Sequence, residues 1–137
     1  MTDAEFLAAL EDASLPPAAF RHDGHIRAAY LYLRQCGFEG AIARMRAALI
    51  RYATAQGRPG LYHETITVAF LALVNERLRG GTATDWPAFA AGNRDLFDKR
   101  ILSCYYRSAT LESPLAREVF LLSPLTTSRD PGAIDAG

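Results

Sequence analysis

The three histidines of this sequence fall in two short stretches, and imidazole is the side chain best suited to acid–base and metal chemistry near neutral pH. His22 and His25 are three residues apart, and His63 is followed directly by Glu64. All three histidines lie near predicted helix starts, where the positive helix end disfavours imidazolium, so we expect neutral rings. Neutral imidazole binds metal ions and accepts protons. The sequence therefore predicts a functional site where the two stretches meet.

A divalent metal is the leading interpretation of this cluster. The rings of His22 and His25 can reach one point, and His63 completes a set of three nitrogen ligands if the two helix starts meet. Neighbouring residues on a helix project about 100° apart, so Glu64 fits better as a general base or as an orienting residue than as a ligand beside His63. A set of two histidines with one carboxylate, Glu64 or Asp23, stays open. Zinc, iron, manganese and nickel all suit such ligands.

In this interpretation the protein is a small enzyme that acts on a small metabolite, with His63 and Glu64 as catalytic residues. The metal would activate water or act as a Lewis acid. Five further side chains are candidates for substrate binding: Arg27, Tyr62, Thr67, Tyr105 and Arg107. A threonine inside a helix more often bonds to a carbonyl of its own helix, which is the expectation for Thr67.

Two alternatives do not require a metal. In the first, His63 and Glu64 line a polar pocket that binds a small ligand or performs acid–base chemistry. In the second, the histidines and Glu64 are structural, as partial caps and dipole partners of helix starts, and the protein is a helical interaction module. Its candidate partner surface is the row formed by Arg44, Arg51 and Arg58, although so sparse a row is more typical of a solvated helix face.

Composition limits the class of protein. The chain has 137 residues, half of them hydrophobic, which is enough for one domain, predicted at residues 1–124. Its formal net charge of zero argues against a nucleic-acid binder or a protein that binds membranes through basic residues. The stretch from Met1 to Asp12 lacks the features of a signal peptide, and no segment is apolar for long enough to span a membrane. We expect a cytoplasmic protein.

The hydrophobic periodicity predicts helices throughout. The predicted helices are Ala4–Ala13, Gly24–Gln35 with Asp23 as N-cap, Phe38–Gln56, Tyr62–Leu78, a short helix capped by Asp85, a helix from Asn93 or Asp95 to Tyr105, and Leu115–Leu122 after Ser113 and Pro114. Gly37 is expected to end the second helix. The run Val119–Leu122 is also compatible with a strand. From Ile66 to Val74 only Thr67 is polar, which predicts a buried central helix. We expect an all-α bundle of six to seven helices.

Two surface features complete the prediction. Residues 125–137 are polar and small, which favours a disordered tail. Apolar surface around Trp86, Phe89 and Phe120 is a candidate homodimer interface.

The two histidine stretches resemble a pattern found in small uncharacterised bacterial helical proteins. The first stretch, Phe20-Arg21-His22-Asp23-Gly24-His25, has the form F-x-H-x-x-H, and the second, Tyr62-His63-Glu64-Thr65, reads Y-H-E-T. The resemblance extends over most of the chain up to Pro124. It implies no activity, only that the two histidine clusters occur together.

Overall fold

The computed structural model describes residues 1–123, and within that range all regular secondary structure is helical. The α-helices are α1 (Asp3–Glu11), α2 (His22–Ala55), α3 (Glu64–Gly80), α4 (Trp86–Gly92), α5 (Ser108–Glu112) and α6 (Pro114–Glu118). Short 3₁₀ segments lie at Pro17–Ala19, Pro59–Leu61, Arg94–Phe97 and Lys99–Cys104. The predicted all-α class is confirmed. The predicted tail lies outside the described residues.

Helix α1 begins with a capping box that fixes its first turn. The Thr2 hydroxyl accepts a hydrogen bond from the Glu5 amide, and the Glu5 carboxylate accepts one from the Thr2 amide. This reciprocal pair satisfies two amides that a helix start leaves without partners. Phe6, Leu7 and Leu10 are buried from this helix, and α1 packs against α2.

Helix α2 combines the two predicted helices on either side of Gly37. Gly37 has φ +71° and ψ −176°, so the helical path is interrupted at the residue where a helix end is predicted. A positive φ carries little penalty for glycine and a steric penalty for other residues. The predicted N-cap role of Asp23 is wrong. The helix begins at His22, two residues before the predicted start at Gly24, and the Asp23 carboxylate accepts from the neighbouring Gly24 amide at 2.9 Å.

Helix α3 is the partner of α2 in the largest helix–helix interface. No residue from Glu64 to Val74 is fully exposed, and the helix reaches the surface at Glu76. Its other main neighbour is α6. The helix starts two residues later than predicted, because Tyr62 and His63 have extended backbone angles.

The predicted helix from Asn93 or Asp95 to Tyr105 is wrong. This stretch forms two 3₁₀ segments that are separated at Asp98, whose backbone is extended with φ −99° and ψ 108°. The Asp98 carboxylate accepts a hydrogen bond from the Arg100 amide at 3.0 Å. A short polar side chain that bonds to nearby backbone competes with a continuous helix in this way.

The signals for the two short helices α4 and α6 are confirmed. Asp85 caps α4 by accepting from the Ala88 amide at 3.0 Å, and Ser113 caps α6 by accepting from the Ala116 amide at 3.2 Å. The predicted extension of the last helix to Leu122 is wrong, because α6 ends at Glu118 and Val119 is extended.

This extended segment is attached to the start of α3 through one buried side chain. The Thr65 hydroxyl donates to the Val119 carbonyl at 2.8 Å and accepts from the Leu121 amide at 3.1 Å. The Tyr106 hydroxyl donates to the Leu121 carbonyl at 2.8 Å. These bonds satisfy backbone groups that a helix would otherwise have paired internally.

Candidate functional site

A cavity of about 1030 Å³ lies where the start of α2, the start of α3 and the stretch from Lys99 to Arg117 meet. Much of its wall is apolar or aromatic, with Phe20, Leu49, Ile66, Phe70, Leu102 and Leu111 among the lining residues. His22, His25 and His63 line the same cavity. The two histidine stretches therefore meet, as the sequence analysis expects.

Gly24 allows the start of α2 to pack closely against the turn that precedes it. A Cβ atom at Gly24 would lie 3.0 Å from the Ala19 carbonyl oxygen and 3.1 Å from Cδ1 of Phe20. Only glycine gives this approach without a shift of the neighbouring backbone. The approach supports a stacked contact between the rings of Phe20 and His25, whose centroids are 4.2 Å apart at an angle of 17°. The short turn thus orients His25 at the cavity wall.

His22 is held by one hydrogen bond and one aromatic contact. Its Nε2 lies 2.9 Å from the Leu96 carbonyl oxygen, so Nε2 carries the proton and donates. Its ring meets the Phe70 ring edge-on, with the centroids 4.9 Å apart. The ring contact joins the start of α2 to α3, and the hydrogen bond joins it to the Arg94–Phe97 segment.

His63 is the N-cap of α3 and uses both ring nitrogens in hydrogen bonds. Nδ1 accepts from the Ile66 amide at 3.1 Å, and Nε2 donates to the Leu111 carbonyl at 2.6 Å. Because one nitrogen accepts and the other donates, the ring is the neutral Nε2–H tautomer. His63 therefore joins the first turn of α3 to α5, and a ligand or metal could use its nitrogens only by displacing one of these bonds.

His25 is the histidine whose nitrogens are available. Neither ring nitrogen forms a hydrogen bond with another residue in the described part of the chain. The pKa of His25 is lowered to about 4, chiefly by burial and to a smaller extent by the nearby His22, while Asp23 acts in the opposite direction. The ring is neutral at physiological pH, with one N–H donor and one nitrogen acceptor in the cavity wall.

Glu64 faces a different side of α3 from the cavity. Its carboxylate accepts two hydrogen bonds from the Arg46 guanidinium and a third from the Tyr62 hydroxyl. The bonds from Arg46 lower the pKa of Glu64, and burial opposes this effect only in part. A carboxylate held in this way is a poor proton acceptor. Glu64 instead fixes the position of Tyr62, which does line the cavity.

The remaining candidate residues are divided between the cavity and other parts of the surface. Thr67 lines the cavity, and its hydroxyl donates to the His63 carbonyl at 2.8 Å, which confirms the predicted bond to its own helix. Arg27 lies apart from it, 2.7 Å from the Asp3 carboxylate and above the ring of Phe6. Tyr105 and Arg107 are exposed and do not belong to the cavity wall.

The predicted metal ligands share the cavity, but they do not form a ligand set. Within residues 1–123 no group of three or more histidine, cysteine, aspartate or glutamate side chains is arranged to hold an ion. Two of the three histidines are oriented by backbone carbonyls at Leu96 and Leu111. The metal stays a prediction.

Comparisons with known proteins give no indication of function, so the function is inferred from the cavity. The sequence matches no protein-family model, no curated protein and no solved structure. The resemblance to bacterial helical proteins therefore stays an expectation.

Most positively charged residues of the site were not predicted from the sequence; only Arg58 was singled out, as part of the arginine row. Five exposed cationic residues line the cavity, and we call them the cationic rim: Arg21, Arg58, Lys99, Arg100 and Arg117. Arg21 adjoins His22 in the sequence, so its place near the site could have been predicted. The places of Lys99 and Arg100 could not, because the predicted α-helix through this stretch gave no reason to put them beside the histidines. The cavity thus combines an apolar wall, a neutral histidine and a positively charged rim.

Proposed function

We propose that the protein binds a small, largely apolar molecule in the cavity between α2, α3 and α5. The observation that carries the proposal is the neutral imidazole of His25, which has no hydrogen-bond partner among residues 1–123, in a mostly apolar wall. Small-molecule sites are typically clefts of a few hundred to about 1,000 Å³ with apolar walls and a few polar groups that fix orientation. A neutral imidazole offers a ligand one donor and one acceptor.

Binding fits the geometry better than acid–base catalysis. A general base works best with a pKa near the working pH, whereas burial lowers the pKa of His25 to about 4. Glu64, the other candidate base, is bonded to Arg46 and Tyr62 on another side of α3. The groups that face the cavity are therefore suited to hydrogen bonding with a ligand.

Calorimetric titration with three eight-carbon probes tests this proposal. The probes are octanol, octanoate and octylammonium, which share one chain and differ in the head group. We expect at least one probe to bind, and we expect an Ile66→Trp substitution, which places an indole in the cavity, to abolish that binding. Ile50→Trp is the matched control, since Ile50 is an exposed residue of α2 outside the cavity. Failure of all three probes, or equal binding by both variants, would contradict the proposal.

A metal-dependent enzyme is the second candidate, and the observation in its favour is that His22, His25 and His63 line one cavity. In such an enzyme zinc, iron, manganese or nickel would activate water or polarise a small metabolite. Elemental analysis of protein purified without chelator, wild type beside His25→Ala, distinguishes the candidates. Near-stoichiometric metal that is lost in the variant would favour the enzyme. Equal, trace metal in both proteins would favour the binding protein.

We also propose a cytoplasmic location. Among the described residues no helix is both long and apolar enough to cross a membrane. Cys36 and Cys104 are both free thiols. Unpaired cysteines are typical of a reducing compartment.

A further inference from the structure

The charged side chains that line the cavity are all cationic. Its lining includes the five residues of the cationic rim, and no acidic residue of the described chain takes part. The whole sequence is balanced, with 15 basic and 15 acidic residues. The charge at the cavity is therefore a local feature of the fold. An apolar cleft whose charged groups share one sign attracts ligands of the opposite sign.

Two residues of the cationic rim already have partners. Arg100 forms a salt bridge with Asp98 at 2.8 Å, and Arg117 donates to the backbone carbonyl of Leu61 at 3.0 Å. The side chains of Arg21, Arg58 and Lys99 form no hydrogen bond or ion pair with any residue in the described range. These three charges are available to a ligand.

Arg21 and Lys99 adjoin two segments that are hydrogen-bonded to each other. The bond from Nε2 of His22 to the Leu96 carbonyl, at 2.9 Å, joins the residue after Arg21 to the segment that precedes Lys99. Arg58 belongs instead to the loop before α3, which Arg117 contacts. Arg21 and Lys99 therefore adjoin, in the chain, the two segments that meet at His22 in the cavity wall.

From this arrangement we infer that the ligand is an amphipathic organic anion. Its acidic group lies between Arg21 and Lys99, and its apolar part lies against Phe20, Ile66 and Phe70. The inference rests on the proposed function and specifies its ligand class. A carboxylate and a phosphate monoester share the required chemistry, because the planar guanidinium of arginine binds either through paired hydrogen bonds.

The three eight-carbon probes, together with octyl phosphate, test the inference by calorimetry. We expect the two anions to bind roughly tenfold or more tightly than octanol, as charge-assisted hydrogen bonds allow, and octylammonium to bind most weakly. The stronger of the two anions identifies the head group. The variant with Arg21→Ala and Lys99→Ala should reduce anion affinity to about that of octanol. Both side chains are exposed and unpaired, so neither substitution removes a contact that the fold uses.

The matched control carries Arg79→Ala and Arg94→Ala, which remove two exposed charges outside the cavity. This control should bind the anions like wild type. Equal affinities for octanol and the anions, or equal losses in the two double variants, would overturn the inference while the proposed pocket stands. Absence of binding by every probe would overturn the proposed function as well.

Discussion

His25 is the residue on which the functional interpretation depends most. Its ring is stacked on Phe20 and its nitrogens are without partners in the described residues, in a protein whose other two histidines are hydrogen-bonded. Because the ring lines the cavity, its free donor and acceptor can bond to a ligand there. This availability supports the proposed binding function.

The lowered pKa of His25 predicts a loss of stability in mild acid. The unfolded chain has an ordinary histidine pKa of about 6.5, whereas the folded protein has about 4, so the unfolded state binds more protons between these values. The contribution of neutral His25 to the free energy of unfolding is therefore complete above about pH 6.5. It decreases by on the order of 3 kcal/mol as the pH falls towards 4.

Urea unfolding of wild type and His25→Gln at pH 7 and pH 4.5 measures this effect. The two proteins also share all other titrating groups, so their difference isolates His25. Wild type should lose more free energy of unfolding than the variant between the two pH values. Identical losses would show that the His25 ring is not neutral and buried as described.

The role of Glu64 could not be predicted from its residue type and its neighbours in the sequence. The sequence shows a carboxylate beside a histidine at the start of an apolar helix, which suggests a catalytic pair. Arg46, which binds this carboxylate, is 18 residues away on α2 and had no reason to be selected from the sequence. The helix geometry explains the difference, because adjacent residues project in different directions, with His63 towards α5 and Glu64 towards α2.

At the scale of elements, the interruption of α2 was predicted correctly from a single glycine, Gly37. Gly37→Ala should lower the free energy of unfolding by about 1–2 kcal/mol, because a Cβ is disfavoured at φ +71°. No heavy atom crowds this position, so the effect is conformational. Gly80→Ala is the matched control at an uncrowded position without a positive φ, and we expect little change there. Equal urea midpoints for the two variants would contradict this account.

Thr65 is the element-scale contact that the sequence could not indicate. The residue is fully buried and bonds to both Val119 and Leu121, more than 50 positions away in the chain. Thr65→Val keeps the shape but removes both bonds, which should cost about 1–3 kcal/mol of stability. The Leu121 amide should also exchange its hydrogen faster.

Hydrogen exchange followed by mass spectrometry of the 119–123 peptide checks this prediction. Thr84→Val is the control, since Thr84 is exposed and the hydrogen bonds to Val119 and Leu121 are made by Thr65 instead. Unchanged exchange in Thr65→Val would mean that the segment is held by other contacts.

At the scale of the whole molecule, local signals predicted more than long-range ones. The capping residues Asp85 and Ser113, the break at Gly37 and the all-α class follow from neighbours in sequence, and all are confirmed. The hydrogen bonds of His22 and His63 join residues that are 74 and 48 positions apart in the sequence. Lys99 and Arg100 of the cationic rim lie in a 3₁₀ segment that was predicted as part of an α-helix. Periodicity contains no information on such pairings.

The surface interpretations of the sequence are changed in two places. The arginine row is divided, because Arg44 pairs with Glu11 at 2.9 Å while Arg58 lies at the cavity. Of the candidate homodimer residues, Phe89 is 1% exposed and belongs to the core, whereas Phe120 is 41% exposed. The homodimer stays a prediction that now rests on the segment around Phe120.

Mapping of backbone amide chemical shifts by nuclear magnetic resonance during an octanoate titration tests the central claim most directly. We predict that the amides whose chemical shifts change lie at the cavity, including those of His25, Thr67, Leu102 and Leu111. Their titration curves should fit one dissociation constant. The chemical shifts of the Arg44 and Arg51 amides, which do not line the cavity, should stay unchanged. Shift changes confined to Arg44 and Arg51 or to the segment around Phe120, with none at the cavity amides, would contradict the claim that this cavity is the binding site.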